Sequence, residues 1–243
     1  DGQGHTITGF YIDRENTYEL EVSWDGSVLA FSNRIGQIGL FGYAKDAVIK
    51  DLGLEGKINV FDRPDSMYAD WLQVGGIVGY AHGSTIISNC YTNLGITAAA
   101  STETGTIGGY PAGGYGYACD TYVGGIVGSL SGTAKVENCY SKGTFIGAET
   151  RRVDMGGIVG AMRSGSNTVS DCYSTASIQA LPLEGTAWDS YIGGIAGDCD
   201  SQGNQGSVTG CFALNSRLKG NDVKLTAGRA AGHGTALSGN YGL

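Results

Sequence analysis

Gly124-Gly125-Ile126-Val127-Gly128 is the clearest copy of a five-residue phrase that recurs along this chain. Three further strong copies begin at residues 75, 156 and 193, and two weaker copies begin near residues 38 and 227. The second glycine or its equivalent stands at 39, 76, 125, 157, 194 and 229, so the spacings are 37, 49, 32, 37 and 35 residues. A period of this size is typical of one supersecondary unit that is stacked several times.

A second phrase follows each strong copy of the first at a nearly constant distance. Its four copies are Asn89-Cys90-Tyr91, Asn138-Cys139-Tyr140, Asp171-Cys172-Tyr173 and Gly210-Cys211-Phe212. The residue before the cysteine is always Asn, Asp or Gly, and these residues tolerate left-handed backbone and form turns. The phrase therefore predicts a bend just before each cysteine.

Composition favours an all-β protein. Glycine accounts for 43 of 243 residues and proline for only 3, while 41% of the residues are hydrophobic, which is too apolar for a disordered chain. Apolar residues at helical spacing are not sustained beyond about two turns. The unbroken repeat predicts a single domain over residues 1–243, with the repeats themselves in residues 36–243.

The β-rich runs within each unit are only three to five residues long, such as Thr85–Ser88 and Ala134–Glu137. Such runs leave no room for the crossover helices of a doubly wound sheet, so they predict a parallel β-helix of about six coils, spaced about 4.8 Å apart. Two inward ladders are predicted to fill its core: Ile77, Ile126, Ile158 and Ile195 with Leu40, and Ile87, Val136, Val169 and Val208 with Ile49.

The two phrases together, G-[GL]-[IL]-[VF]-G followed by [ND]-C-[YF], resemble the GLUG motif repeat of large bacterial surface and secreted proteins. The opening Asp1–Gly9, which reads D-G-x-G-H-x-I-x-G, resembles the coil that commonly precedes such repeats. The resemblance implies a right-handed β-helix outside the cell, often described as adhesin-like. It implies no catalytic residue.

Residues 13–35 depart from the repeat. Two runs of alternating apolar and polar residues flank Asp25-Gly26, and this dipeptide between such runs is a hairpin signal. We therefore expect a β-hairpin inserted near the N-terminus.

The cysteines are predicted to remain reduced where they share the repeat position. Stacking places Cys90, Cys139, Cys172 and Cys211 about 5 Å apart on one face, but neighbours on parallel strands point the same way, which makes the disulfide torsion difficult to reach. Cys119 and Cys199 lie off this position and are expected in loops, where any disulfide would form.

The candidate binding face lies in four lateral loops that precede the same repeat position, at 61–72, 107–122, 149–154 and 183–191. Their aromatic and acidic side chains are suited to sugar rings, and they are equally suited to covering glycine-rich backbone. Both alternatives remain open at this stage. The candidate residues are Asp70, Trp71, Asp120, Tyr122, Trp188, Asp189 and Tyr191.

Charge and residue counts argue against several other functions. The chain has 23 acidic against 15 basic residues, so a nucleic acid is not an expected partner. No run of about 18 apolar residues is present, which predicts no membrane span. Three separated histidines do not make a zinc site, and Asp198–Gly203 lacks the later ligands of a calcium loop and predicts a polar turn. We expect a monomer with no metal, no cofactor and no catalytic residue.

The leading functional hypothesis is therefore a non-catalytic extracellular or cell-surface module that presents its lateral face to a glycan or to a host surface protein. The alternative is a carbohydrate-active enzyme, a polysaccharide lyase or a glycosidase. For that alternative, Asp120, Asp154 and Asp189 would line one face together with Arg151 or Arg152. Two carboxylates about 5 to 9.5 Å apart, one of them with a raised pKa, would favour the enzyme.

Overall fold

The computed structural model describes residues 1–15, 20–22, 28–30, 36–62, 71–100, 106–107, 110–111, 120–148, 152–181, 189–199, 206–220, 225–228, 230–233 and 237–242. Within these ranges the chain consists of strands and turns and contains no helix. Four parallel sheets form the sides of a column, and the chain visits sheets 1, 2, 3 and 4 in turn as it completes each coil.

Three of the sheets have six strands each, one from every coil. Sheet 1 contains β4 (Gln37–Ile38), β8 (Trp71–Gly75), β14 (Asp120–Gly124), β18 (Arg152–Gly156), β23 (Ser190–Gly193) and β28 (Leu225–Gly228). Sheet 2 contains β5 (Phe41–Lys45), β9 (Val78–His82), β15 (Val127–Gly132), β19 (Val159–Gly165), β24 (Ala196–Asp198) and β29 (Ala231–His233). Sheet 3 contains β6 (Val48–Lys50), β10 (Ile86–Ser88), β16 (Lys135–Glu137), β20 (Thr168–Ser170), β25 (Ser207–Thr209) and β30 (Leu237–Ser238).

Sheet 4 is the widest, because an additional strand precedes the first coil and two coils contribute two short strands each. It contains β1 (His5–Glu15), β7 (Leu52–Asp62), β11 (Tyr91–Ala100), β17 (Tyr140–Ala148), β21 (Tyr173–Ser174), β22 (Ser177–Leu181), β26 (Phe212–Ala213), β27 (Leu218–Gly220) and β31 (Tyr241–Gly242). The predicted parallel β-helix of about six coils is confirmed. Its right-handed sense stays a prediction.

Two antiparallel pairs stand outside the column's sheets. Strand β2 (Leu20–Val22) pairs with β3 (Val28–Ala30), which confirms a hairpin in the region that departs from the repeat. Strand β1 continues in parallel with β7 as far as Glu15, so the column includes residues 13–15. The second pair, β12 (Thr106–Ile107) with β13 (Tyr110–Pro111), lies at the start of one of the predicted lateral loops, the one at 107–122. These loops all lead from sheet 4 to sheet 1 of the next coil.

The core contains the two predicted ladders, together with inward-facing side chains of sheets 1 and 4 such as Val74 and Phe145. Ile77, Ile126, Ile158 and Ile195 are fully buried, and Leu40 packs partly buried below them. In sheet 3, Ile49, Ile87, Val136, Val169 and Val208 are successive partners in register. Period-2 alternation places these side chains on the inner face of their strands, where each packs against its equivalents above and below.

The bend before each cysteine is also confirmed. Asp51, Asn89, Asn138 and Asp171 have φ between 53° and 57°, and Gly210 has φ of 62°. This left-handed backbone is the reason for the restriction to Asn, Asp and Gly, because a Cβ without local hydrogen bonding is strained there.

The cysteines that share the repeat position form a buried file of reduced thiols, which we call the thiol file: Cys90, Cys139, Cys172 and Cys211. The N–H of Cys90 donates to Sγ of Cys139 at 3.4 Å, and the same contact repeats between the later pairs. Each thiol in turn donates to the carbonyl two residues before it, as in Cys139 Sγ to Glu137 O at 3.2 Å. Cys199 lies in a bend just after β24, off the shared position as predicted, and its side chain is buried. Cys119 lies outside the described residues.

Truncation of the inner ladder tests the role of stacking in stability. We expect Ile126→Ala to lower the free energy of unfolding by about 2–5 kcal/mol, because a cavity forms between two neighbouring coils that cannot collapse. The matched control is Val48→Ala, whose side chain is 62% exposed and should change that free energy by less than about 0.5 kcal/mol. Urea titrations that show equal losses for the two variants would contradict the assignment of the core.

Candidate functional site

The outer faces of sheets 1 and 2 meet at the sharp corner that the glycine phrase creates. In β8, Leu72 and Val74 point into the column, and Gln73 between them points to the opposite face, yet all three are buried. Gln73 Nε2 donates to Ser129 Oγ of sheet 2 at 2.8 Å. The corner is therefore concave, and polar side chains on the two outer faces close over one another.

The last glycine of the phrase makes this approach possible. A Cβ on Gly128 would lie 2.5 Å from the carbonyl oxygen of Gly79 and 2.7 Å from the backbone nitrogen of Val74. Any side chain there would push sheet 2 away from sheet 1. The glycine is thus required by the contact between backbones.

Strand register collects the polar groups at this corner. Gln73, Tyr122, Asp154 and Tyr191 are successive partners at one position of sheet 1. The groups that meet them from sheet 2 include Ser129, Arg163, Asp198 and His233. We call this set, together with Arg152, the polar seam.

Arg152 lies at the centre of an ionic network that extends over three coils. Its Nε donates to Asp154 Oδ2 at 2.8 Å, and its Nη2 donates to Asp198 Oδ2 at 2.5 Å. Asp198 Oδ1 in turn lies 3.0 Å from His233 Nδ1. Both carboxyl groups are almost completely buried, so Arg152 supplies charge and hydrogen bonds that water does not.

Burial shifts the pKa values of two side chains in the polar seam. Removal from water raises the pKa of Asp154 well above its ordinary value of 3.8, and the negative charges of Asp198 and Asp120 raise it as well. Arg152 opposes these effects without cancelling them. Burial, followed by Asp120 and Asp154, also raises the pKa of Tyr122, so its hydroxyl stays protonated at neutral pH.

At the rim of the seam, Arg163 joins two aromatic rings. Its guanidinium carbon lies 4.0 Å from the ring centre of Trp71 and 5.2 Å from that of Tyr122. Arg163 Nη1 also donates to the hydroxyl of Tyr122 at 2.6 Å. Arg163 is buried while Trp71 stays 45% exposed, so a rigid cation holds an accessible indole in place.

The structure separates the predicted binding residues into two groups. Trp71 and Asp189 are exposed, and Tyr191 is partly exposed with its ring stacked 4.7 Å from that of His233. Asp120 and Tyr122 are only 8% and 2% exposed, which corrects their assignment to an accessible face, because period 2 aims Tyr122 into the concave corner. Asp70 and Trp188 lie outside the described residues.

The polar seam also contains Arg163, Asp198 and His233, which are not among the binding residues predicted from the sequence. Asp198, expected in a polar turn, is instead a buried partner of Arg152. A signal was present in the sequence, since each of the three lies only five to seven residues after the start of its glycine phrase or its equivalent. Recognising it requires knowing that the corner is concave.

The fold defines the chain as a parallel β-helical repeat protein. Residues 120–146, which make up one coil from β14 into β17, match the family model of the GLUG motif. The comparisons with curated proteins and with solved structures found no match.

Within the described residues, no helix has the length and apolar character needed to cross a lipid bilayer. In the same part of the chain, no group of three or more His, Cys, Asp or Glu side chains is arranged to hold a metal ion.

The raised pKa of the buried Asp154 carboxyl group predicts how the free energy of unfolding depends on pH. The folded protein holds a proton on Asp154 that the unfolded chain loses above about pH 3.8, so the stability from this group is present below that pH and is lost as the pH rises through the higher folded pKa. Asn cannot ionise, so Asp154→Asn should show a flatter decline of unfolding free energy over the same interval.

The measurement is a series of urea titrations from about pH 4 to about pH 8. Asp189→Asn, at an exposed carboxylate, is the matched control and should keep the wild-type slope. An unchanged slope in Asp154→Asn would contradict the raised pKa.

Proposed function

We propose that this protein is a non-catalytic β-helical module of an extracellular or cell-surface protein, and that its lateral face binds a glycan. The observation that carries the proposal is the exposed indole of Trp71 held by the buried guanidinium of Arg163 at 4.0 Å. An aromatic ring offers a flat apolar surface to a sugar, and a fixed ring loses little conformational freedom on binding.

The surroundings of Trp71 support the same function. In the neighbouring strand, Asp120 is its partner in register, and Arg152 follows in the next strand. Polar and charged groups therefore lie within one or two strand spacings, about 5–10 Å, of the indole. Asp120 is almost buried, so Arg152, with 19% of its side chain exposed, supplies the hydrogen bonds to sugar hydroxyls while the ring supplies apolar contact.

The β-helical column is suited to holding its lateral face in a fixed geometry for a ligand. Successive coils are joined by backbone hydrogen bonds and a continuous apolar core, so the lateral face keeps its geometry without support from a partner. A resemblance to the GLUG repeats of bacterial surface and secreted proteins suggests where such a spacer works.

One observation favours the alternative of a carbohydrate-active enzyme. Asp154 and Asp198 are bound by the same guanidinium, and the pKa of Asp154 is raised, as expected of a general acid. Both carboxyl groups are nevertheless almost completely buried and bound to Arg152, which does not fit a pair of acids that face a glycosidic bond. The binding module is therefore the proposal that the geometry supports better.

The test is a glycan array with the purified chain and Trp71→Ala. We expect loss of apparent affinity of about tenfold or more for the glycans that the wild type binds, which corresponds to about 1.4 kcal/mol of lost contact. Tyr11→Ala is the matched control, because Tyr11 is 61% exposed on sheet 4 and should leave binding unchanged.

Equal binding by the wild type and Trp71→Ala would remove the lateral site. Release of reducing sugars from any bound polysaccharide, lost in Asp154→Asn, would instead establish the enzyme.

A further inference from the structure

Four side chains in successive strands of sheet 1 line the edge of the polar seam. Asp120 is the partner in register of Trp71 in the strand on one side and of Arg152 in the strand on the other. The register of β18 with β23 places Asp189, which precedes β23 by one residue, opposite Arg152. Period 2 puts all four on the outer face, because the residue that follows each of them is buried. We call these four side chains the lateral row.

The two ends of the lateral row are accessible, and they lie three strand spacings apart, which is about 14 Å. Trp71 is exposed at one end, and Asp189 is exposed at the other. Between them, the side chain of Arg152 is partly exposed and Asp120 is almost buried. The row therefore extends over four coils and offers contacts to a ligand at both ends and at its third position.

The packing of the indole directs a ligand along this row. Arg163 lies against one face of the Trp71 ring, with its guanidinium carbon 4.0 Å from the ring centre. Because Arg163 is buried while Trp71 is exposed, the guanidinium lies beneath the indole and the opposite ring face is the accessible one. A sugar that stacks on that face lies flat against the column, so a chain attached to it continues over the neighbouring strands toward Asp189.

The charges around the lateral row favour an uncharged ligand. Arg152 is already paired with the carboxyl groups of Asp154 and Asp198, and Arg163 is buried. The charged group of the row that is most open to solvent is therefore the carboxylate of Asp189. A carboxylate or sulfate on a ligand would be repelled by this group, whereas a sugar hydroxyl donates a hydrogen bond to it.

We propose that the lateral row binds a segment of a linear, uncharged polysaccharide, with about one sugar on each of four coils. An extended chain of β-linked sugars advances per sugar by a distance similar to one strand spacing, so sugars and strands stay in step over this length. Trp71 stacks against the first sugar, Arg152 donates to a hydroxyl of the third, and Asp189 accepts from a hydroxyl of the fourth. The inference rests on the proposed function and adds the length and the charge of the ligand.

The test is a chain-length series measured by titration calorimetry on the full chain. The uncharged probes are β-1,4-linked oligosaccharides of glucose, of xylose and of mannose with one to six sugars, and the charged probes are oligogalacturonates of the same lengths. We expect at least one uncharged series to bind. Its affinity should rise with each added sugar up to about four and change by less than about twofold beyond that length, because further sugars pass the end of the row.

Asp189→Ala tests the far end of the row separately from Trp71. It should lower the affinity for the four-sugar probe about fivefold or more, because a hydrogen bond to a charged acceptor is lost, and change that for the two-sugar probe by less than about twofold. Trp71→Ala should instead lower the affinity at every length.

The matched control is Asp13→Ala, which removes an exposed carboxylate from sheet 4 and should change the affinity by less than about twofold at every length. Circular dichroism spectra and unfolding temperatures that match the wild type establish that each variant is folded.

Three results would overturn the proposal: no binding of any uncharged series, tighter binding of the oligogalacturonates than of every uncharged series, or equal losses for two and for four sugars in Asp189→Ala. Binding that Trp71→Ala abolishes but that does not strengthen beyond two sugars would refute the extended row and leave the proposed function standing. Binding that Trp71→Ala leaves unchanged would remove both.

Discussion

Hydrogen bonding between coils in strict register is the constraint on which the rest of the structure depends. Each residue of a coil stands over its equivalent, as Tyr140 stands over Tyr91 and Val136 over Ile87. A residue type that recurs at one position of the repeat therefore forms a continuous row along the column, as in the apolar core, the thiol file and the stacked rings of Tyr91, Tyr140 and Tyr173. Because side chains alternate between faces, a slip of one residue would exchange the inner and outer sets, so burial and register enforce each other.

The polar seam forms because the outer faces of sheets 1 and 2 meet at a concave corner. Backbone contact at Gly128 brings sheets 1 and 2 so close that side chains between them lose access to water. Where neighbouring coils supply Gln73 and Ser129, one hydrogen bond joins the two side chains. Where they supply Asp154 and Asp198, a cation is needed. Arg152 joins its own coil to the next, so its ion pairs fix the relative position of coils more clearly than they add stability.

Sequence reasoning predicted the features that repeat and missed those that do not. The coil number, the core ladders, the reduced thiols and the left-handed bends all follow from residues that recur at one position, such as Ile126 and Asn138. The buried network of Arg163, Asp198 and His233 depends on single residues in single units, whose meeting is decided by a concave corner that periodicity does not reveal. Tyr122 shows the same limit, since alternation gives its face but not that this face is covered.

In the last described coil, Asn240 takes the place of cysteine. Its Oδ1 accepts the N–H of Cys211 at 2.9 Å, as a thiol of the file does. Its Nδ2 donates to Val208 O of the preceding coil at 2.7 Å, where the corresponding contact of Cys211 Sγ with Val169 O is 3.8 Å long. The position that cysteine occupies in the repeat thus needs only a side chain that accepts one hydrogen bond and donates another, whether through sulfur or through an amide. Gene duplication that inserts a whole unit would find compatible neighbours on either side, so the length of such a column is free to change in evolution by steps of one coil.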